Sequence, residues 1–306
     1  GGVENTVAFL NSLPGFLNGT QQAVPIVDTS GNQLIVDGLP AFGEPTEYGI
    51  IAIISCLAWG LGYFGMPQVL VRFMSVKNSD EIKKSRVIAV VWVVISLFCA
   101  VAIGLIGRAV LPTEFLTNSA AENIFIVLAQ MMLPSFMCGL VVSGIFAAAM
   151  SSSSSYLLIS GSAVAENIFR GLIKKNATDA QVMIVARITL VVILLFGIFI
   201  AIDENSIIFQ VVSYAWAGFG AAFGPVIIMS LWWRRMTRNG ALAGMITGAV
   251  TVLVWNHYAW LGLYEILPGF VFALIAIVVV SLLDKAPSKS IAKTFDEVQA
   301  AVRNPA

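Results

Sequence analysis

Seven stretches of this chain are each apolar over the about 20 residues a helix needs to cross the hydrocarbon core of a bilayer. They cover residues 48–73, 86–111, 136–169, 181–201, 206–233, 240–260 and 266–284. Backbone polar groups in lipid must be satisfied within the segment, so such runs fold as helices. The third run is too long for one perpendicular crossing. It is tilted, or its last turns project into water near Glu166 and Arg170. Composition points the same way. Of the 306 residues, 58% are hydrophobic and 11% charged, and mean hydropathy is +0.89. A soluble domain carries about 25% charged residues to cover its surface. Lipid is therefore the solvent, and the fold class is an all-α polytopic membrane protein with about seven transmembrane helices. The formal net charge of zero argues against a nucleic-acid partner.

The connections alternate in basic content. Lys77, Lys83, Lys84 and Arg86 follow the first run, and Arg170, Lys174 and Lys175 the third. Arg234, Arg235 and Arg238 follow the fifth, and Lys285, Lys289 and Lys293 the seventh. The intervening connections hold Glu114 and Glu122, then Asp203 and Glu204. Because basic connections stay in the cytoplasm, residues 1–45 are expected outside and the C-terminus inside. Residues 1–45 read as an extracytoplasmic loop with one helical stretch at 3–13, residues 46–285 as the transmembrane domain, and 286–306 as a cytoplasmic tail. Segment 113–135 is expected to hold a short external helix over 118–132. The tail has an amphipathic stretch at 291–302, which lies along the inner membrane surface or is a solvated helical end. The chain opens Gly1-Gly2 with no signal-peptide pattern, and it reads as part of a longer protein.

Two places break the rules for a membrane helix. Gly60, Gly62, Gly65 and Pro67 fall close together in the first run, beside Trp59 and Tyr63. Each Gly costs a helix interior about 1 kcal/mol against Ala, and Pro about 3. A broken helix is tolerated in lipid where it lines a cavity, as in secondary transporters. Small residues that let a neighbouring helix approach are the other explanation. Trp59 and Tyr63 are four apart, which on an α-helix places both rings on one face, continued by Pro67. The second place is Ser151 to Ser155, inside the third run. A serine in lipid hides its hydroxyl on the carbonyl one turn back. Alternatively, Ala148, Ser151 and Ser152 at i, i+3 and i+4 bring a carbonyl and two hydroxyls to one face, a partial oxygen set for a hard cation.

Carboxylates are almost absent from the spans, Glu166 being the main one, so a proton relay is weakly disfavoured against a sodium ion. Cys56, Cys99 and Cys138 lack metal-site spacing and read as packing residues. No nucleophile–base pair or metal set suggests an enzyme.

At these residues the chain resembles the sodium:solute symporter family, and within it the sodium/proline symporters. Trp59-Gly60-Leu61-Gly62-Tyr63-Phe64-Gly65-Met66-Pro67, with Arg72-Phe73-Met74, is similar to their seventh helix. Ala147-Ala148-Ala149-Met150-Ser151 is similar to the ninth, and the run from Ser213 to Pro225 to the eleventh. Residues 236–245 and 260–269 are similar to the twelfth and thirteenth. The resemblance runs from about residue 45 to 290 and implies a LeuT-like inverted-repeat transporter fold, present here incompletely. Such a fold has two inverted five-helix repeats, one helix before them and two after. This chain would hold most of the second repeat and both trailing helices. The N-terminal helices of the same protein would supply the rest.

The resemblance also implies a sodium ion on Ala148, Ser151 and Ser152, completed by ligands from an early helix. Ser152 stands where the family has Thr and keeps its hydroxyl. Some relatives hold a second sodium further along, which would fall on Ser154 and Ser155. The implied L-proline pocket falls on Trp59, Tyr63 and Pro67, with Met66-Pro67-Gln68 in place of Gln-Pro-His. The implied function is sodium-coupled uptake of L-proline by alternating access, in a multi-pass protein of the bacterial cytoplasmic membrane. Gly218, Gly220 and Gly224, with Pro225, are either a gating segment or a close packing surface. Arg72 either pairs in an inner gate or snorkels to lipid phosphate. The competing functions are symport of another small solute, such as another amino acid, a sugar acid or an osmolyte, and a transporter-like sensor.

Overall fold

All seven apolar stretches are helical in the computed structural model, which describes residues 2–29, 32–202, 207–258 and 260–303. Asp203 and Glu204, expected in an acidic connection, lie outside the described residues.

Helix α1 (Val3–Ser12) lies within the expected helical stretch. The loop after it holds more order than its composition suggested. Strand β1 (Gln21–Gln22) pairs antiparallel with β4 (Thr46–Glu47), and between them β2 (Ile35–Val36) pairs with β3 (Leu39–Pro40). The inner turn is Asp37-Gly38, both residues at positive φ. Asp-Gly is a strong two-residue hairpin signal, because both of its central positions need that conformation.

The first span is broken. Helix α2 (Ile50–Ala58) tightens into a 3-10 segment, Trp59–Phe64, and α3 (Pro67–Met74) restarts at a 50° bend. Pro67 is the first residue of α3, and Met66 before it is extended, since a residue preceding proline is disfavoured in the helical region. Helix α4 (Ser79–Val110) is the second span. The expected external helix is two pieces, α5 (Asn118–Ala121) and α6 (Ile124–Met132). Helix α7 (Ser135–Ser162) continues as a π-helix, Ala163–Ile173, so the third span is one helix of 39 residues. Helix α8 (Asp179–Ala201) starts at a capping box made by Thr178 and Gln181. Then come α9 (Ile208–Trp232), α10 (Arg238–Tyr258), α11 (Ile266–Leu283) and the tail helix α12 (Lys289–Arg303).

The chain divides into two units, residues 1–102 with 208–306, and residues 103–207. In the first, α9, α10 and α11 pack together around Ala217, Ala221, Val252 and Ile266, with Ala58 of α2 against them. Gly240, Gly244 and Gly248 form a seam four residues apart on α10, and all three are buried. Gly240 faces Ser281 and Ile277, Gly244 faces Ile277, and Gly248 meets the Ala221 backbone. Such small-residue seams let helices approach closely where lipid gives no hydrophobic drive for association.

In the second unit α7 and its π-helical end pack on α8, with Gly161 against Leu190. Arg170, in the π-helix, bonds to Glu166 at 3.2 Å and to Asp179 at the start of α8. Arg108 closes the end of α4 by donating to the Pro112 and Phe115 carbonyls at 3.1 and 3.3 Å. No part of the apolar windows of α4, Ser135–Ile173 and α8 is buried within the chain. Those faces are made for lipid or for other membrane helices.

The seam yields a prediction. A Cβ on Gly248 would overlap the Ala221 carbonyl, a backbone group that cannot rotate away, whereas one on Gly104 meets nothing within 4 Å. Gly248→Ala is expected to cost about 1–3 kcal/mol through overpacking, and Gly104→Ala to gain up to about 1 kcal/mol of helix propensity. The thermal midpoint of the purified protein in detergent reads both.

Candidate functional site

The break in the first span places a ring cluster. A 3-10 helix turns three residues per turn, so positions four apart lie about 120° apart rather than on one face. The shared face expected for Trp59 and Tyr63 is therefore lost, and both meet Trp216 of α9 instead. Trp59 stacks on Trp216 at 5.4 Å, on Phe209 at 5.5 Å and on Tyr264 at 6.1 Å, all within 17° of parallel. Tyr63 meets Trp216 edge to face at 4.8 Å. Stacked and edge-to-face pairs are the arrangements the ring quadrupole prefers.

Three hydrogen bonds fasten the cluster. Trp216 Nε1–H donates to the Trp59 carbonyl at 2.9 Å. The Tyr264 hydroxyl donates to the Ser213 carbonyl at 2.7 Å, and its backbone N–H to Ser55 Oγ at 3.1 Å. Burial, and after it the Glu265 charge, push the Tyr264 phenol well above its ordinary range, so it remains a neutral donor.

The glycines serve the close approach. A Cβ on Gly62 would enter the Trp216 ring, and one on Gly220 would come within 2.7 Å of Gly62 Cα. Gly224 packs against Phe270. Helix α9 runs unbroken through Gly218, Gly220, Gly224 and Pro225. Gly220 and Gly224 are packing positions there, and Gly218 has open space beside it. Trp59 is half-buried in its stack, while Tyr63 is 51% exposed. Pro67 is half-buried at the start of α3. Arg72 is exposed in the last turn of α3 and has no ion-pair partner among the described residues.

The serines belong to the other unit. Ser151 lies about 24 Å along the helix from Ser135 at 1.5 Å per residue, near the middle of its span. Ser154 and Ser155 both donate to the Ser151 carbonyl at 3.0 Å, the back-bonding expected of serine in lipid. Ser151 and Ser152 do not. Their hydroxyls, and that of Ser153, have no partner among the described residues, and Ser151 and Ser152 share an exposed face with Ala148. Ser154 and Ser155 keep lone pairs on their oxygens, so they remain able to accept.

Sequence reasoning did not select Phe209, Trp216 and Tyr264 as partners of Trp59. The signal available was the density of aromatic and small residues in Ser213–Gly224 and around Trp260. That density marks a packing surface without saying what it packs on.

Comparison with known proteins bears on both halves. The model of the sodium:solute symporter family matches residues 11–248. The sodium/proline symporter of Escherichia coli (strain K12) is 46% identical over 254 residues, 82% of this chain and 51% of that protein. The osmoregulated proline transporter OpuE of Bacillus subtilis (strain 168) is 41% identical over 249 residues, 80% of this chain and 51% of that protein. The sodium/proline symporter of Haemophilus influenzae (strain ATCC 51907 / DSM 11121 / KW20 / Rd) is 42% identical over 265 residues, 83% of this chain and 52% of that protein. The chain spans about half the length of these relatives.

Trp216→Phe keeps a ring in the stack and removes the donor to the Trp59 carbonyl. The expected loss is about 1 kcal/mol, the net worth of one hydrogen bond, read as a lower denaturant midpoint in detergent. Phe209→Leu leaves that bond intact and removes the stack on Trp59.

Proposed function

The chain belongs to the sodium:solute symporter family, and from that premise we propose that the whole protein couples sodium entry to uptake of L-proline by alternating access. Its fold would be the LeuT-like inverted repeat, completed by helices from the N-terminal half. The carrying observation is the difference among the five serines. Ser154 and Ser155 bond back to the helix, while Ser151, Ser152 and Ser153 stay unbonded near mid-span, and of these three Ser151 and Ser152 stand one turn on from Ala148. A free hydroxyl pair on an apolar span is costly unless something polar completes it. A sodium ion fits, since hard cations take neutral oxygen ligands. The remaining ligands would come from an early helix. Ser154 and Ser155 are the candidates for a second sodium.

The solute would meet the ring of Tyr63, which is exposed, with Trp59 holding the stack behind it and Pro67 fixing the break. An apolar five-membered ring suits an aromatic surface, and the solute's charged groups need polar partners elsewhere. The names of the relatives support proline. Sodium binding that raises affinity for the solute must be matched by the solute raising affinity for sodium. The membrane potential contributes about 2.3 kcal/mol per charge at 100 mV. The basic connections support a cytoplasmic C-terminus, and the relatives support the bacterial cytoplasmic membrane. Arg72, in the last turn of α3 on the side of Lys77, would pair in an inner gate or reach lipid phosphate.

The test is sodium-dependent uptake of radiolabelled proline by the full-length protein. Ser151→Ala is expected to raise the sodium concentration for half-maximal uptake at least tenfold, about 1.4 kcal/mol. Tyr63→Ala is expected to raise the KM for proline with sodium dependence little changed. Parent-like uptake by both variants at low sodium and low proline would reject the site. Stronger competition by another amino acid, a sugar acid or an osmolyte than by proline would reject proline alone.

A further inference from the structure

The tail helix α12 is held at the end of a membrane span. Arg234 grips Asp296 through two bonds of 2.8 Å, from Nε and Nη2 to the two carboxylate oxygens. Gln299 Nε2–H donates to the Leu231 carbonyl at 2.7 Å. Leu231 is the penultimate residue of α9, so these contacts fix α12 at the depth where that span ends. Trp232 beside it is exposed, as an interfacial tryptophan would be.

At 100° per residue, the docked residues and the apolar residues of α12 occupy different arcs. Ala292, Asp296 and Gln299 fall within about 60°, and Ala292 and Gln299 are half-buried. Ile291, Phe295, Val298 and Val302 fall within the adjacent arc of about 60°. Docking covers only the edge of this second arc. Phe295 is half-buried, whereas Ile291, Val298 and Val302 are exposed. Stability of the contact with α9 does not require that ridge, because the ion pair and the Gln299 bond are made from the neighbouring face.

The charges indicate what covers the ridge. Residues 285–303 carry Lys285, Lys289, Lys293 and Arg303 against Asp296 and Glu297, and Asp296 is already paired with Arg234. Lys293 is mostly exposed and only loosely paired with Glu297 at 3.6 Å. At 100° per residue Lys289 and Lys293 lie on the face away from the ridge, so α12 has one apolar and one basic face, the pattern of a helix lying in an anionic bilayer surface. Acyl chains take the ridge, and the basic face opposite adds a long-range attraction to anionic headgroups.

We propose that α12 is an interfacial helix that inserts Ile291, Val298 and Val302 into an anionic leaflet while Arg234 and Gln299 dock its other face to the end of α9. The proposal rests on the spans and the docking contacts, not on the identity of the transported solute. It gives the end of α9 a direct contact with the lipid headgroup layer.

Spin labels test it in the full-length protein with Cys56, Cys99 and Cys138 replaced by Ser. One label is placed through Val298→Cys and one through Ala300→Cys, on the opposite face. The protein is reconstituted in phosphatidylcholine vesicles with and without a third of phosphatidylglycerol. In the anionic vesicles, the label at 298 is expected to collide with oxygen and be shielded from a water-soluble nickel chelate. The label at 300 should show the reverse. Lys289→Glu with Lys293→Glu should abolish the difference between the two lipid mixtures. Equal chelate access at 298 and 300 in anionic vesicles would mean a solvated helix and overturn the proposal. Shielding of 298 from both reagents would mean packing against protein, another copy of the chain included, and would overturn it too.

Discussion

The contact between Gly62 and Gly220 is the one on which the first unit's arrangement depends. With no side chain on either, the 3-10 segment and α9 meet backbone to backbone. Only at that separation does Trp216 reach the Trp59 carbonyl while its ring lies flat on the Trp59 ring. A lipid-buried span would otherwise resist such a break, because each freed backbone group needs a partner where water is absent. Here the tight 3-10 turns supply some of those bonds and the neighbouring helix supplies another. The break is thus a feature that α9 stabilises, and the glycines make the two compatible.

The spans were legible in the sequence because lipid imposes a simple rule, about 20 apolar residues per crossing. All seven runs became helix, and the Gly/Pro cluster became the bend. Of the two explanations offered for that cluster, close approach by small residues is the one seen at Gly62 and Gly65. Gly62 packs, Pro67 ends the turn, and Gly60 has open space. The 3-10 winding was not legible. It changes hydrogen bonding by one residue, and no composition signal separates it from α over six positions. The π-helical end of the third span was hidden for the same reason. The Asp37-Gly38 hairpin carried its signal openly, and the polar composition around it obscured the reading.

Among the serines, spacing alone could not separate ligand from structural hydroxyl. The hydrogen bonds narrow the choice. Two donors cannot both fold back on the Ser151 carbonyl and also present themselves elsewhere, and Ser154 and Ser155 are the two that fold back. That leaves Ser151, Ser152 and Ser153 without a bond to the helix, and helical spacing from Ala148 picks out the first two. The aromatic half shows a parallel division of labour. Trp59 is engaged by three rings, whereas Tyr63 meets one and keeps half its surface open, so the proposed solute contact falls on Tyr63.

These contacts also constrain how the first unit moves. The broken span is tied to α9 by the Trp216 bond, and to the segment before α11 by the Ser55–Tyr264 bond, which Tyr264 passes on to Ser213. Unhooking all three would cost about 3 kcal/mol at about 1 kcal/mol each, before any loss of stacking. Coupling energies between sites in proteins are typically about 1–3 kcal/mol. A ligand that spent its whole coupling energy on opening this cluster would retain little to bias anything else. Nor does α9 offer a cheaper hinge, since Gly220 and Gly224 are held against Gly62 and Phe270 and the helix is continuous through Pro225. The balance favours motion of α2, the 3-10 segment and α9 as one body, with the change in access taken up at its boundaries rather than inside it.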